Sequence, residues 1–275
     1  MKFRRLTFFL FLAALVTGAG LLAQNYGGRG RRGEPGGRQG VPEWTVDPRF
    51  EKDVFSFARL RYESWGRNWG WGGRGRWATD APDADLNLLF RLQQMTSLKV
   101  NPDVTYIDIE PEQLAQYPFV YMVEPGTLVF RPEEATALRN YLLNGGFLMV
   151  DDFWGAEDWY NFRAEMKRVF PDIEPVEIEV DHPIFHIVFD LDEKPQMPGI
   201  DPFLYSGETS ERGSGPVHYW TYSDPKGRMM AIICHNTDLG DGWEREGEDA
   251  TYFHRFSEKM AYPMAINIIY YAMTH

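Results

Sequence analysis

Residues 119–124 read FVYMVE, an almost wholly apolar run too short for a typical helix. Side chains alternate across a strand, so this segment offers oily side chains to both faces of any sheet it joins. Such a strand is stable only when both faces are covered. That places it in the middle of a chiefly parallel sheet with helices packed on either side. Residues 147–150, FLMV, repeat the signal one helix later.

The intervening segment carries its own boundaries. Pro132 suits a first helical turn, whose N–H groups lack intrahelical partners, and Glu133 and Glu134 complement the positive end of the helix dipole. Ala135, Leu138, Tyr141 and Leu142 form the apolar stripe, and Asn144-Gly145-Gly146 supplies the left-handed stop. Helical spacing recurs at Leu88, Leu89, Leu92 and Met95 behind Asp83 and Asp85, and again at Trp159, Phe162, Met166 and Val169 before Pro171. Strands are predicted at 53–64, 104–109 and, by alternation, 175–180. The stretch 217–236 predicts two strands around Asp-Pro-Lys-Gly, an antiparallel addition at the C-terminal side of the sheet. The last residues, MAYPMAINIIYYAMTH, predict a largely buried helix with Pro263 in its first turn. Strand–helix alternation of this kind makes an α/β sandwich.

The N-terminus belongs to another class of sequence. Lys2, Arg4 and Arg5 precede an apolar run from Leu6 to Ala23, the plan of a secretory leader, so residues 1–23 are expected to be a signal peptide cut after Ala23. Left uncut, residues 6–23 would tether the protein to the inner membrane. Residues 24–52 are expected to form a Gly- and Arg-rich linker, and 53–275 to hold the folded domain. The protein is therefore expected outside the cytoplasm, in the periplasm or beyond. A net charge of −12 repels nucleic-acid phosphate and excludes that class of partner. Cys234 is the only cysteine, so no intramolecular disulfide forms.

Candidate chemistry gathers where the apolar strand 147–150 meets Asp151 and Asp152. Ligands in open α/β sheets bind outside the carboxyl ends of the strands. Two adjacent carboxylates also suit the start of the next helix, and in a strand they point to opposite faces. His182 precedes a proline at a strand end, in H-P-I-F-H; without the glutamate of H-E-x-x-H, and with Pro183 against a helix, this is not a zinc pair. Asp238 follows the last strand in a Gly- and Asp-rich loop that misses the calcium-loop pattern and reads as a turn. Cys234 lies inside an apolar strand and reads as inert. No phosphate-binding loop or nucleophile elbow of the G-x-S-x-G type is present, and neither a metal nor a cofactor is expected.

Several segments taken together carry a family likeness. RYESWGRNWGWGGRGRWATDAPDADLNLLFRL, YPFVYMVEPG, ALRNYLLNGGFLMVDDFWG, VFPDIEPVEIEVDHPIF and INIIYYA resemble the bacterial family called domain of unknown function 4159, across about residues 53–273. The resemblance implies the class I glutamine amidotransferase-like superfamily: a flavodoxin-like three-layer sandwich with a mainly parallel sheet. In amidotransferases of that superfamily the strand corresponding to 147–150 ends in a nucleophilic cysteine. Here the turn reads Asp151-Asp152-Phe153, which leaves glutamine hydrolysis without its covalent route. The expectation is a non-amidotransferase domain of the cell envelope, with a cleft lined by Trp77, Asp151, Asp152, Trp154, His182 and Asp238. Aromatic rings beside carboxylates suit a carbohydrate, peptide or other small ligand, or an envelope protein. The alternative is a hydrolase using Asp152 as base or nucleophile, with His182 as its partner.

Overall fold

The structure, a computed structural model, describes residues 40–50, 53–66 and 75–275. The expected signal peptide and most of the linker lie outside the described residues. No helix among the described residues is long and apolar enough to cross a membrane.

The domain is a mixed α/β structure around a seven-stranded sheet. Its strands are β1 (Ala58–Arg61), β3 (Thr105–Asp108), β4 (Phe119–Val123), β6 (Phe147–Asp151), β7 (Val176–Glu177), β8 (His218–Ser223) and β9 (Met229–His235). The spatial order is β3-β1-β4-β6-β9-β8-β7. The first five in that order run parallel; β8 is antiparallel to β9, and β7 antiparallel to β8. A two-stranded ribbon, β2 (Glu63–Ser64) with β5 (Leu128–Val129), sits beside the sheet.

The run that most constrained the fold occupies the middle. All five residues of β4 and all five of β6 are buried, in register from Phe119 opposite Phe147 to Val123 opposite Asp151. Alternation then divides the core in two. On one face Phe119, Tyr121, Phe147 and Met149 pack with α1 (Asp83–Met95) through Leu88, Leu89 and Leu92, and with the C-terminal helix through Ile266, Ile268 and Ile269. On the other, Val120, Met122, Leu148 and Val150 meet Leu138 and Leu142 of α3 (Pro132–Leu143) and Phe162 and Met166 of α4 (Gly155–Val169). The short helix α2 (Pro111–Leu114) separates β3 from β4.

Three details depart from the sequence pattern. The pair 217–236 is a hairpin as expected, yet only its first strand is an antiparallel addition; β9 pairs in parallel with β6 and completes the parallel core. The alternating segment 175–180 pairs only through Val176 and Glu177. At the sheet's edge, with no strand beyond it among the described residues, Val176 stays exposed. The C-terminal helix begins earlier than its apolar pattern, with Ala250–Tyr252 and a π-helical run, Phe253–Ala261, leading into Tyr262–Thr274. Pro263 lies in the first turn of this final α segment. Proline lacks an N–H and crowds the carbonyl four residues back, so the wider π turns before it accommodate it inside a continuous helical run.

Candidate functional site

Three strand ends deliver carboxylates to one place. β4 ends at Glu124, β6 at Asp151 and Asp152, and β9 leads through Asn236 and Thr237 to Asp238. β1 contributes indirectly. Its Arg59 is fully buried, pairs with Asp85 of α1 at 2.7 Å, and donates from Nη1 to the carbonyls of Trp77 and Thr79. Those bonds pin the segment before α1, and Asp80 is carried over the carboxyl edge.

The cleft has a volume of about 170 Å³, below the roughly 300–1,000 Å³ of sites that engulf drug-sized ligands. Asp80, Glu124, Asp152, Asp238 and Asp241 line it, joined by Glu211. Arg76 and Arg212 line it too, but each already faces an acid: Arg76 pairs with Glu124 and Arg212 lies 3.3 Å from Asp158. Carboxylate oxygens of Asp80, Asp152 and Asp238 lie within 4.8 Å of one another, and so do those of Asp80, Asp241 and Glu244.

The backbone is held in an uncommon conformation there. Among the described residues five non-glycine positions have positive φ: Asp80 (62°), Glu124 (50°), Asp152 (55°), Arg212 (52°) and Asn236 (62°). The first four line the cleft. Asn236 braces it from behind: its Oδ1 accepts from Gly155 N at 2.8 Å and its Nδ2 donates to Pro216 O at 2.8 Å. Left-handed backbone away from glycine persists where surrounding structure enforces it, and it concentrates at functional sites.

Burial and like charge set the electrostatics. Asp80, Asp152 and Asp238 all titrate well above the usual carboxylate range, first because burial disfavours the ion and then because each faces other acids. Asp151 is fully buried and pushed up to about 7 by desolvation, against hydrogen bonds from the Gly240 N–H at 2.9 Å and the Tyr121 hydroxyl at 3.3 Å. Trp154 Nε1 donates to Asp152 Oδ1 at 3.1 Å, and Asp241 N donates to Asp238 Oδ1 at 2.8 Å. Two oxygens at this edge, Asp80 Oδ2 and Asp151 Oδ1, are buried with no hydrogen-bond partner.

Of the residues expected in the cleft, Asp152, Trp154 and Asp238 line it, with Asp151 directly behind. Two are not brought to it. The Trp77 ring packs against Tyr106 of β3, centroids 5.6 Å apart, although its neighbour Arg76 lines the cleft. His182 accepts from Ile184 N at 3.2 Å, packs on Tyr271 of the last helix at 5.5 Å, and is not among the lining residues. Cys234 is buried inside β9, where desolvation raises its thiol pKa.

Asp80, Glu124 and Glu211 were not anticipated; Asp241 lies in the Gly- and Asp-rich segment after β9, which was expected to be a turn and is instead a short helix, Leu239–Glu244, capped by Asp238. Glu124 carries the same signal as Asp151, an acid directly after an apolar strand, and the rule that found one finds the other. Asp80 has no local signal, because its position depends on Arg59.

A comparison with curated proteins gave no match. The sequence model of the family described as Domain of unknown function (DUF4159) matches residues 56–273, well over half of the chain. That span takes in every strand of the sheet and every acid of the cleft, and the chain belongs to this family.

Proposed function

We propose that this is an exported ligand-binding domain of the bacterial cell envelope, built on a flavodoxin-like, glutamine amidotransferase-like sheet and working without a thiol nucleophile. Numbered among themselves in chain order, its five parallel strands lie 2-1-3-4-5, which supports the flavodoxin-like reading. At the turn from β6 into α4, where such amidotransferases hold cysteine, Asp152 stands at φ 55°. A carboxylate there binds hydroxyl or ammonium groups and gives glutamine no thioester route.

The observation that carries the proposal is the coincidence of left-handed backbone and buried acids in one cleft, at the sheet edge where α/β folds bind ligands. The ligand class is a polyhydroxylated or amine-bearing one, such as an envelope carbohydrate or peptide, presented to the cleft as a small polar end group. The hydrolase reading that paired Asp152 with His182 is not carried forward, because His182 packs on Tyr271 instead.

A thermal-shift panel of sugars, amino sugars and short peptides tests this. We expect at least one hydroxyl- or amine-bearing class to raise the melting temperature at millimolar concentration, with the rise lost in Asp152→Asn. Ammonia release from glutamine should stay at the buffer rate. A panel with no hit, or a hit that persists unchanged in Asp152→Asn, would remove this site from the account.

A further inference from the structure

We infer that Asp80, Asp152 and Asp238 form a binding site for a hard divalent cation of the Mg²⁺/Ca²⁺ class. The inference deepens the reading of the cleft as a ligand site by supplying what its floor holds.

The donor set comes first. Three carboxylates from three separate segments present oxygens within 4.8 Å of one another. An ion about 2.0–2.6 Å from each oxygen spans such a set, since ligands on opposite sides of it stand up to about 5 Å apart. All the donors are oxygen, with no histidine or cysteine among them, which selects against zinc and for the hard cations.

A second observation is independent of the cluster. Asp151 is fully buried, yet its Oδ1 has no partner, and Asp80 Oδ2 is likewise sealed and unpaired. Both carboxylates lie against Gly240. The N–H of Gly240 reaches Asp151 Oδ2 at 2.9 Å, and a Cβ on Gly240 would lie 2.7 Å from Asp80 Oδ2 and 3.5 Å from Asp238 Oδ1. The missing side chain of Gly240 is what allows these acids to converge. Buried ionic groups are ordinarily paired or bound to metal, and an orphaned buried oxygen is costly.

Among the described residues, the arginines around the cleft are already paired and supply no compensating charge. Arg59 is committed to Asp85, Arg76 to Glu124, Arg212 to Asp158, and Arg245 to Asp241, Glu244 and Glu248. A divalent ion would neutralise the floor and leave coordination positions open toward the cleft, where hydroxyls of a bound ligand can enter.

The test uses the mature chain freed of metal with a chelator, then titrated calorimetrically with MgCl₂, CaCl₂ and MnCl₂ and melted with and without each ion. One saturable site and a raised melting temperature are expected. Asp80→Asn and Asp238→Asn should weaken the affinity by about tenfold or more while staying folded in chelator, and the exposed Glu208→Gln should bind as wild type. No saturable heat with any of the three ions, or equal affinity in the cleft variants, would overturn the proposal. Repeating the organic-ligand panel in chelator separates the two readings. Sugar or peptide binding without cation binding retires the ion and keeps the ligand site; cation binding without any organic hit does the reverse.

Discussion

Arg59→Met will destabilise the domain by about 3–5 kcal/mol, the usual cost of stripping one partner from a buried ion pair. Arg59 and Asp85 are both fully buried, joined through Nε and Nη2. Methionine matches the stem of arginine, so little packing is lost; what remains is a carboxylate sealed in the core with no counter-charge. The carbonyls of Trp77 and Thr79 lose their donor as well. For a domain of this size roughly 2–4 °C of melting temperature accompanies each kcal/mol, so a drop of about 6–20 °C is expected in thermal denaturation. The double variant Arg59→Met/Asp85→Leu should recover most of it, because an apolar pair of similar volume replaces a buried ion pair at little cost. Failure of the double variant to recover would mean that the contacts to Trp77 and Thr79, not the charge, dominate.

Neutralising the cleft acids will act in the opposite direction. In chelator, Asp152→Asn and Asp238→Asn should each raise stability by roughly 0.5–2 kcal/mol, as changes that relax a functional site commonly do. The variants are geometrically clean. Asparagine tolerates the left-handed backbone at Asp152 and retains an Oδ1 for Trp154 Nε1. At Asp238 it still caps the short helix Leu239–Glu244 through the Asp241 N–H. What is lost is one charge among several that repel. The pH dependence follows from the same burial. Asp151 is pushed up to about 7 and Glu244, by burial and then by Asp241, up to about 8. Between pH 6.5 and 8 the folded chain therefore binds more protons than the unfolded one, and stability rises as the pH is lowered through that window. Below pH 6.5 His235, buried against Phe153 and Trp159 and held down to about 4, opposes this trend. There the unfolded chain takes up the proton that the folded histidine refuses, which offsets part of the gain from the buried acids. Denaturant melts at pH 6.5 and 8 check the first sign.

The parts of the fold that were legible are those with local causes. Runs apolar on both faces announced β4 and β6, and proline, acids and a Gly-Gly stop bounded α3, each within about fifteen residues of sequence. The carboxyl-edge position of Asp151 and Asp152 followed from the strand they end. Features with distant causes were not legible. A hairpin announces the pairing of β8 with β9 but cannot announce the parallel pairing of β9 with β6, whose register joins residues more than eighty apart. Asp80 owes its place to a guanidinium on β1 beneath its loop. His182 looked like an edge residue because it follows an alternating segment; the ladder there ends at Glu177, and the chain then wraps onto Tyr271. Trp77 sits in the right segment, but its ring is captured by Tyr106.

The cleft works as proposed only if its acids converge at the carboxyl edge to hold a cation. Anomalous diffraction from crystals soaked in Mn²⁺ tests that most directly. The expected map has one dominant peak among Asp80, Asp152 and Asp238, about 2.0–2.6 Å from an oxygen of each. A map with no peak in the cleft, or with Asp80 turned away from Asp152 and Asp238, would contradict it.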